Sequence, residues 1–150
     1  RMREAVTALG YGNAEIGVVV DRFWLDGPLA ISAIEQTRFL AQLARGAAPA
    51  PAAAQAAVRD ILLQESGEGW RLYAKTGWQH APAAGVGWWV GWVERGAQVY
   101  AFALNIDLQG PADAPRRVQL GRAALSALGL MAVADDTALN AVTVRHPPAR

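Results

Sequence analysis

The sequence contains no cysteine, only two histidines and no long apolar run. Without cysteine, disulfides and thiolate metal sites are excluded, and the redox compartment cannot be inferred. Because His80 and His146 lie far apart along the chain, a histidine-rich metal site is not expected. No stretch approaches the roughly 20 apolar residues that a membrane-spanning helix needs. The sequence therefore predicts neither a metal site nor a membrane segment.

Charge is also sparse, and the two signs nearly balance. Charged residues make up 18% of the chain and the formal net charge is +1, so no bulk field attracts nucleic acid or an anionic membrane. Lys75 is the only lysine among the 14 cationic side chains. The hydrophobic share of 53% argues against disorder. At 150 residues the chain is one domain or part of one, long enough for a sizeable core.

The chain opens on Arg1-Met2-Arg3-Glu4, which is typical of a helix already under way. No basic-then-apolar leader stands at the front. We therefore expect the natural protein to extend upstream of Arg1; the alternative is a genuine terminus at this point.

Helical spacing predicts a helix over residues 1–9, which ends at the turn over residues 10–13. Glycine and asparagine in that turn tolerate positive φ angles. Residues 14–28 are predicted to form a long loop, and a loop of that length inside a compact domain is usually functional.

Two further helices are predicted before any strand. Ser32 and Glu35 form a capping box at the start of the first one, whose apolar side is assigned to Ile31, Ile34, Leu40 and Leu43. An Ala/Pro-rich connector over residues 46–54 separates it from a helix over residues 53–64, which carries Val58, Ile61 and Leu62.

The pattern then changes to that of strands. Three are predicted, over residues 70–76, 87–94 and 98–107, and the second is nearly continuously apolar, which indicates burial on both faces. Gly77 is expected to end the first strand, and residues 79–85 to form a turn. Consecutive strands of this kind predict an antiparallel meander.

A final helix is predicted over residues 116–128, after two prolines. The fold class is therefore α+β, an antiparallel sheet flanked by helices. We assign residues 1–130 to one domain and expect residues 131–150 to be a poorly ordered tail.

Lys75-Thr76-Gly77 is the first candidate functional motif, since it combines a cation, a hydroxyl and a residue without a Cβ on one strand. Side chains alternate along a strand, so Lys75 and Thr76 are expected on opposite faces. Glycine leaves the backbone open to a flat ligand, and Trp78 follows directly. A surface strand that spells Lys-Thr-Gly by chance is the alternative.

Other candidates are ambiguous from the residues alone. Tyr11-Gly12-Asn13 is a plausible helix-ending turn, and Trp24 could be a core anchor beside Phe23. Arg116 and Arg117 could bind a carboxylate through a planar guanidinium, or lie on a solvated helix face. Five tryptophans lie from Trp70 to Trp92, but the stretch from Trp88 to Val93 has no interleaved cation, so core packing and not a nucleic-acid platform is predicted for Trp88, Trp89 and Trp92.

Five motifs in order resemble the C-terminal portion of class D (oxacillinase-type) serine β-lactamases. They are Tyr11–Asn13, Phe23-Trp24-Leu25, Ser32–Gln36 as Ser-Ala-x-x-Gln, Lys75–Gly77, and Trp88–Glu94 as Trp-Trp-Val-Gly-Trp-Val-Glu. The resemblance covers residues 1–130 and implies the β-lactamase/penicillin-binding transpeptidase-like fold, incomplete here.

The resemblance implies roles for the matching positions. Lys75 would be the second active-site lysine, and Thr76 with Gly77 and Arg117 would bind the substrate carboxylate, with Arg116 the alternative to Arg117. Trp78 would complete an oxyanion hole through its backbone N–H. Trp24 would support a CO₂-derived carbamate on a lysine that this chain lacks; no other cofactor is implied.

The family's Ser-x-x-Lys nucleophile motif is absent from this chain. Ser32, Ser66 and Ser126 are followed three residues later by Glu, Gly and Gly. An activated serine needs its base within hydrogen-bond reach, so we expect the chain alone to be inactive. Two alternatives remain: the penicillin-binding sensor domain of a transmembrane receptor, and a catalytically dead truncated remnant.

The expected partners are β-lactam molecules and the missing N-terminal part of the same domain. The resemblance also allows for a homodimer and implies a periplasmic or secreted location. Without the missing part, apolar surface is expected to lie uncovered.

Overall fold

The structure, a computed structural model, describes residues 1–79 and 85–132. Its elements in chain order are α1 (Met2–Ala8), α2 (Ala33–Ala44), α3 (Ala52–Leu62), β1 (Leu63–Gly67), β2 (Trp70–Gln79), β3 (Gly85–Arg95), β4 (Gln98–Leu108), a 3₁₀ turn (Pro111–Asp113) and α4 (Arg116–Ala127).

The four strands form one sheet in the order β1-β2-β3-β4, with every neighbouring pair antiparallel. The ladder between β2 and β3 is unbroken, from Trp70 opposite Arg95 to Gln79 opposite Val86. All of β4 pairs with β3. The predicted α+β class and the antiparallel meander are confirmed.

The sequence interpretation missed strand β1, whose first residue, Leu63, was assigned to the preceding helix. The run Ile61-Leu62-Leu63 continues an apolar helical pattern, yet Leu63 has extended angles (φ −62°, ψ 116°) and lies opposite Tyr73. Pairing with a strand that comes later in the chain outweighs the local helical preference.

The prediction that Gly77 ends its strand is wrong, since β2 continues to Gln79. Gly77 lies opposite Trp88 in the ladder and does not adopt the left-handed φ that would turn the chain. Of the turn predicted over residues 79–85, residues 80–84 lie outside the described residues.

Helices cover the two faces of the sheet. On one face α2 and α3 pack over Tyr73 and Trp92. On the other face α4 packs over Trp89. A Cβ added at Gly121 of α4 would lie 2.1 Å from Cε3 of Trp89, so only glycine permits this close approach of helix and sheet. Trp89 and Trp92 therefore form core on opposite faces, as predicted, whereas Trp88 is only half-buried and belongs to neither core.

Several apolar side chains of the predicted helices are exposed, among them Ile34 from the side that was predicted to be apolar. The exposed fraction is 65% for Ile34, 40% for Val58 and 75% for Ile61. The sheet faces only one stripe of each helix, and no other described element covers these residues. The capping box between Ser32 and Glu35 is confirmed in both directions.

The predicted domain ends at residue 130, close to residue 132, after which the structure describes no further residues. Met131 is buried in the core on the α4 side of the sheet. Residues 133–150, most of the segment predicted as a poorly ordered tail, lie outside the described residues.

Candidate active site

The Lys75-Thr76-Gly77 motif lies where one edge of β2 is free. Strand β1 pairs only with residues 70–73 of β2. From Ala74 onward, the described residues place no strand on the side of β2 that faces away from β3. Backbone groups on such an edge can pair with an added extended ligand. The motif is therefore presented on an open strand edge.

Lys75 and Thr76 point to opposite faces of the sheet, as the alternation predicts. The ladder between β2 and β3 is regular along all of β2. Lys75 therefore lies on the same face as Tyr73, toward α2, and Thr76 lies on the face toward α4. The exposed Lys75 donates from Nζ to the carbonyl oxygen of Thr76 at 2.7 Å. Its ammonium therefore lies close to its own strand.

Arg117, in the first turn of α4, reaches the sheet beside the motif. Its Cδ lies 3.3 Å from the position of a Cβ added at Gly87, and Gly87 is opposite Trp78 in the ladder. Its Nε and Nη1 are buried and have no hydrogen-bond partner among the described residues. Buried donors without partners are costly, so these two nitrogens of a half-buried arginine favour an anion as a ligand.

Arg116 is placed very differently from its neighbour. Its side chain is 65% exposed and pairs with Asp113, from Nη1 to Oδ1 at 3.3 Å. Thus Arg116 lies on a solvated helix end, while Arg117 lies against the sheet on the same face as Thr76 and Trp78. Trp78 is half-buried, with its indole against Gly85.

The turn at Tyr11–Asn13 closes the long loop that follows it. Gly12 has φ +55°, and a Cβ there would lie 2.1 Å from the carbonyl oxygen of Ala30. Oδ1 of Asn13 accepts from the backbone N–H groups of Glu15 and Ala30, both at 3.1 Å, and Nδ2 donates to the carbonyl oxygen of Pro28 at 2.9 Å. One asparagine side chain therefore joins the two ends of the loop.

Tyr11 connects this turn to α2. Its ring meets the ring of Phe39 edge-on, with centroids 4.9 Å apart. Burial raises the pKa of the Tyr11 hydroxyl, and a hydrogen bond with the Gln36 side chain acts in the opposite direction. Tyr11 therefore stays neutral well above physiological pH.

The loop carries Trp24 to the end of β2. Gln79 donates from Nε2 to the carbonyl oxygen of Leu25 at 2.8 Å, so the Phe23-Trp24-Leu25 segment lies against the last residue of the motif-bearing strand. Phe23 is buried, but Trp24 is 54% exposed. The alternative that Trp24 is a core anchor is therefore wrong, because Phe23 fills that role.

Arg59, which no sequence motif singled out, supports the face of β2 that carries Tyr73. Arg59 of α3 pairs with Glu94, and its Cζ lies 4.6 Å from the ring centroid of Tyr73. Tyr73 in turn stacks on Trp92, with centroids 4.8 Å apart and 12° between the rings. Glu94 ends the Trp88–Glu94 motif, and its place there was the only available signal.

The carbamate implied by the resemblance does not fit this chain alone. It needs a lysine other than Lys75, and the sequence has none.

Across residues 1–79 and 85–132, no helix is long and apolar enough to cross a membrane.

Comparison with known proteins agrees with the motifs and the fold. Residues 1–125 match the family model of the penicillin binding protein transpeptidase domain. β-Lactamase OXA-5 of Pseudomonas aeruginosa is 37% identical over 134 residues, which are 87% of this chain and 50% of that protein. β-Lactamase OXA-2 of Salmonella typhimurium is 42% identical over 107 residues, 71% of this chain and 38% of that protein.

A solved structure shares the fold as well. The class D β-lactamase YbXI from Nostoc superposes with a TM-score of 0.82 at 40% identity, over 87% of this chain and 56% of that one. The chain thus spans about half the length of the relatives it matches. It belongs to the penicillin binding protein transpeptidase domain family, and its relatives within that family are class D β-lactamases.

Proposed function

We propose that this chain provides the substrate-binding strand of a class D serine β-lactamase, but not the nucleophile. The observation that carries the proposal is the open edge of β2 at Lys75–Gly77, with the partnerless guanidinium nitrogens of Arg117 beside the same strand. The reaction is hydrolysis of the β-lactam amide through a serine acyl-enzyme.

The substrate carboxylate would bind on the face of the sheet that carries Thr76 and Arg117. The Thr76 hydroxyl and the buried Nε and Nη1 of Arg117 are donors on that face, and a carboxylate accepts both kinds of hydrogen bond. A Cβ at Gly77 would lie on the opposite face, beside Lys75, so its absence leaves that side of the strand edge open. The solvated position of Arg116 favours Arg117 as the carboxylate ligand.

The oxyanion that develops during acylation would accept from the backbone N–H of Trp78. One such donor typically contributes roughly 10²–10³ to the rate. Lys75 and Trp24 keep the roles that the resemblance implies, as second active-site lysine and as support for the carbamate. The lysine that would carry this carbamate is not in this chain.

The nucleophilic serine and its base would come from the part of the domain that this chain does not span. Exposed apolar side chains near the site support such a partner: Val18, Val19 and Val20 are 96%, 55% and 53% exposed, and Trp24 lies in the same loop. A periplasmic or secreted location stays a prediction.

The first test is turnover of a chromogenic cephalosporin by two polypeptides. We expect none from the 150-residue chain, because no serine here has a lysine three residues later. We expect hydrolysis from a chimera in which this chain replaces the matching half of OXA-5. Turnover by the isolated chain, or a folded chimera that does not react with the substrate, would contradict the proposal.

The kinetics of the chimera also separate the alternatives. A stable acyl-enzyme with slow deacylation would indicate the penicillin sensor, whereas a folded chimera that is never acylated would indicate the dead remnant. Mass spectrometry after mixing with benzylpenicillin measures the acylated fraction over time.

The second test compares two adjacent arginines in that chimera. Arg117→Ala should lower kcat/KM about 10- to 150-fold, since a hydrogen bond to a charged group contributes about 1.5–3 kcal/mol. Arg116→Ala is the matched control and should change kcat/KM less than twofold. Equal losses in the two variants, or a larger loss for Arg116→Ala, would overturn the assignment of Arg117.

A further inference from the structure

Two glycines of β3 leave space in the layer of side chains on the face of the sheet that packs against α4. Gly85 and Gly87 lie two residues apart on the strand, so they face the same side. A Cβ at Gly85 would lie 2.8 Å from the indole Nε1 of Trp78, and one at Gly87 would lie 3.3 Å from Cδ of Arg117. The space that two side chains of β3 would fill is therefore occupied by Trp78 and Arg117.

Trp78 lies between Arg117 and the outer side of β2, where the substrate is proposed to bind. Neighbouring strands are about 4.8 Å apart, so Cδ of Arg117, above Gly87 of β3, lies about one strand spacing behind β2. Of the β2 residues after Ala74, alternation places only Thr76 and Trp78 on this face. An anion that approaches from the outer side of β2 therefore passes these two side chains before it reaches the guanidinium.

Leu108 borders the Arg117 side chain from the β4 side. It is the last residue of β4, lies opposite Gly85 and is only 1% exposed. Its Cδ1 lies 2.4 Å from the position of a Cβ at Gly87, on which Cδ of Arg117 also converges. The Arg117 side chain thus crosses the sheet between a leucine from β4 and Trp78, which lies directly opposite Gly87 on β2.

Packing, and not hydrogen bonding, is what fixes the orientation of this guanidinium. Its Nε and Nη1 are buried and have no hydrogen-bond partner among the described residues. A free arginine side chain has many rotamers, and a carboxylate binds it best when the planar group is already aligned and little water competes. Trp78 is half-buried and lies on the substrate side, so its ring controls both alignment and hydration there.

We infer that Trp78 acts through its indole as a positioning residue for Arg117. The ring keeps the guanidinium turned toward Thr76 and shielded from water, and thereby sets the preference for a substrate that carries a carboxylate. This inference rests on the proposed function for the identity of the anion. It gives the Trp78 side chain a role separate from that of its backbone N–H.

The shielding is measured in the 150-residue chain without any turnover. The Nε–H of Arg117 has its own NMR signal, which is assigned by its loss in Arg117→Lys. Trp78→Ala should speed the exchange of this proton with water about tenfold or more, because the ring that covers it is gone. Circular dichroism checks that the variants are folded.

Trp88→Ala is the matched control for this measurement. Trp88 is also half-buried and lies opposite Gly77, on the other face of the sheet. Its truncation should leave the exchange of the Arg117 Nε–H unchanged. Equal acceleration in the two variants, or an exchange rate that Trp78→Ala does not alter, would overturn the inference.

Substrate preference is measured in the chimera with OXA-5, on benzylpenicillin and on its methyl ester, which lacks the free carboxylate. Trp78→Ala should lower the acid-to-ester ratio of kcat/KM about 5- to 10-fold, mainly through KM of the acid. Trp78→Phe should retain most of the ratio, since it keeps a ring at the same place. A variant that only disturbs the fold would lower both values together, and an unchanged ratio in Trp78→Ala would overturn the inference.

A double-mutant cycle separates this inference from the proposed function. If Trp78 acts through Arg117, Trp78→Ala should change the ratio less than about twofold once Arg117 is already alanine. A ratio that Arg117→Ala lowers and Trp78→Ala does not would overturn the inference alone. A ratio that Arg117→Ala leaves unchanged would contradict the carboxylate assignment in the proposed function and the inference together.

Discussion

The sheet and the loop before it hold their candidate site residues in different ways. Thr76 and Trp78 lie on a strand with a continuous ladder to β3 and packed cores on both faces of the sheet. Trp24 lies on a loop whose ends are joined mainly by the side chain of Asn13, and its ring is more than half exposed. The positions in the sheet therefore depend on the ladder and on burial in the main core, while the loop depends on a small core of its own, Val6, Ile16 and Phe23, and on a few hydrogen bonds.

Because they are held differently, the sheet and the loop would have different roles. Residues on the sheet can be preorganised for a substrate, because their rotamers and backbone are held by packing. The loop is anchored by its own small core, by the Asn13 side chain and by the Gln79–Leu25 hydrogen bond, but its outer residues are exposed and available to a neighbouring polypeptide. The exposed valines of that loop are consistent with a surface that another part of the domain covers.

The largest expected difference between the sheet and the loop is the loss of unfolding free energy when one tryptophan in each is truncated to alanine. Trp92→Ala removes a fully buried ring between two helices and the sheet and should cost about 3–5 kcal/mol of unfolding free energy. Trp24→Ala removes a ring that is half exposed and should cost less than about 1 kcal/mol. Urea unfolding followed by circular dichroism measures both. Similar losses would show that the loop is as much a part of the core as the sheet.

A smaller effect is expected from Asn13→Ala, which removes three hydrogen bonds that close the loop. Water can take the place of these exposed hydrogen bonds, so the cost should be at the low end of about 0.5–1.5 kcal/mol for each bond, and the loss should stay local. Amide hydrogen exchange should speed up at Ala30 but not in β3. Asn105→Ala, at an exposed position on β4, is the control; faster exchange across the sheet would mean that the loop and sheet are one cooperative unit.

The smallest effect concerns the helix that joins the two regions. Ser32→Ala removes the N-cap of α2 and should cost about 1 kcal/mol at pH 7. Hydrogen bonds from the Ser32 backbone and hydroxyl lower the pKa of Glu35. A lowered carboxylate pKa stabilises the folded state above the unfolded pKa, about 4.3, and that contribution is lost as the pH falls through the folded value.

The difference in stability between the unmodified chain and Ser32→Ala should therefore shrink below about pH 4. Urea midpoints at pH 7 and pH 3 measure it. A difference that is the same at both pH values would show that the Glu35 carboxylate takes no part in the cap.

Features with a strong local pattern were predictable from the sequence. The capping box depends on two residues three positions apart, and the hairpin of β3 and β4 on two strand-like runs joined by a glycine turn. The strand-ending role given to Gly77 was wrong, because a glycine ends a strand only where the chain takes a turning conformation there, and the ladder with Trp88 keeps Gly77 extended.

The sequence by itself determined the order of the motifs, the α+β class and the absence of a Ser-x-x-Lys pair, since each is a property of residues close along the chain. Only the tertiary structure decided that β1 pairs with just the first four of the ten residues of β2, that Arg117 and not Arg116 lies against the sheet, and that Ile61 faces outward. Each of these depends on which surfaces meet after distant segments come together. Neither helical nor strand periodicity carries that information, because periodicity defines an apolar side without defining what covers it.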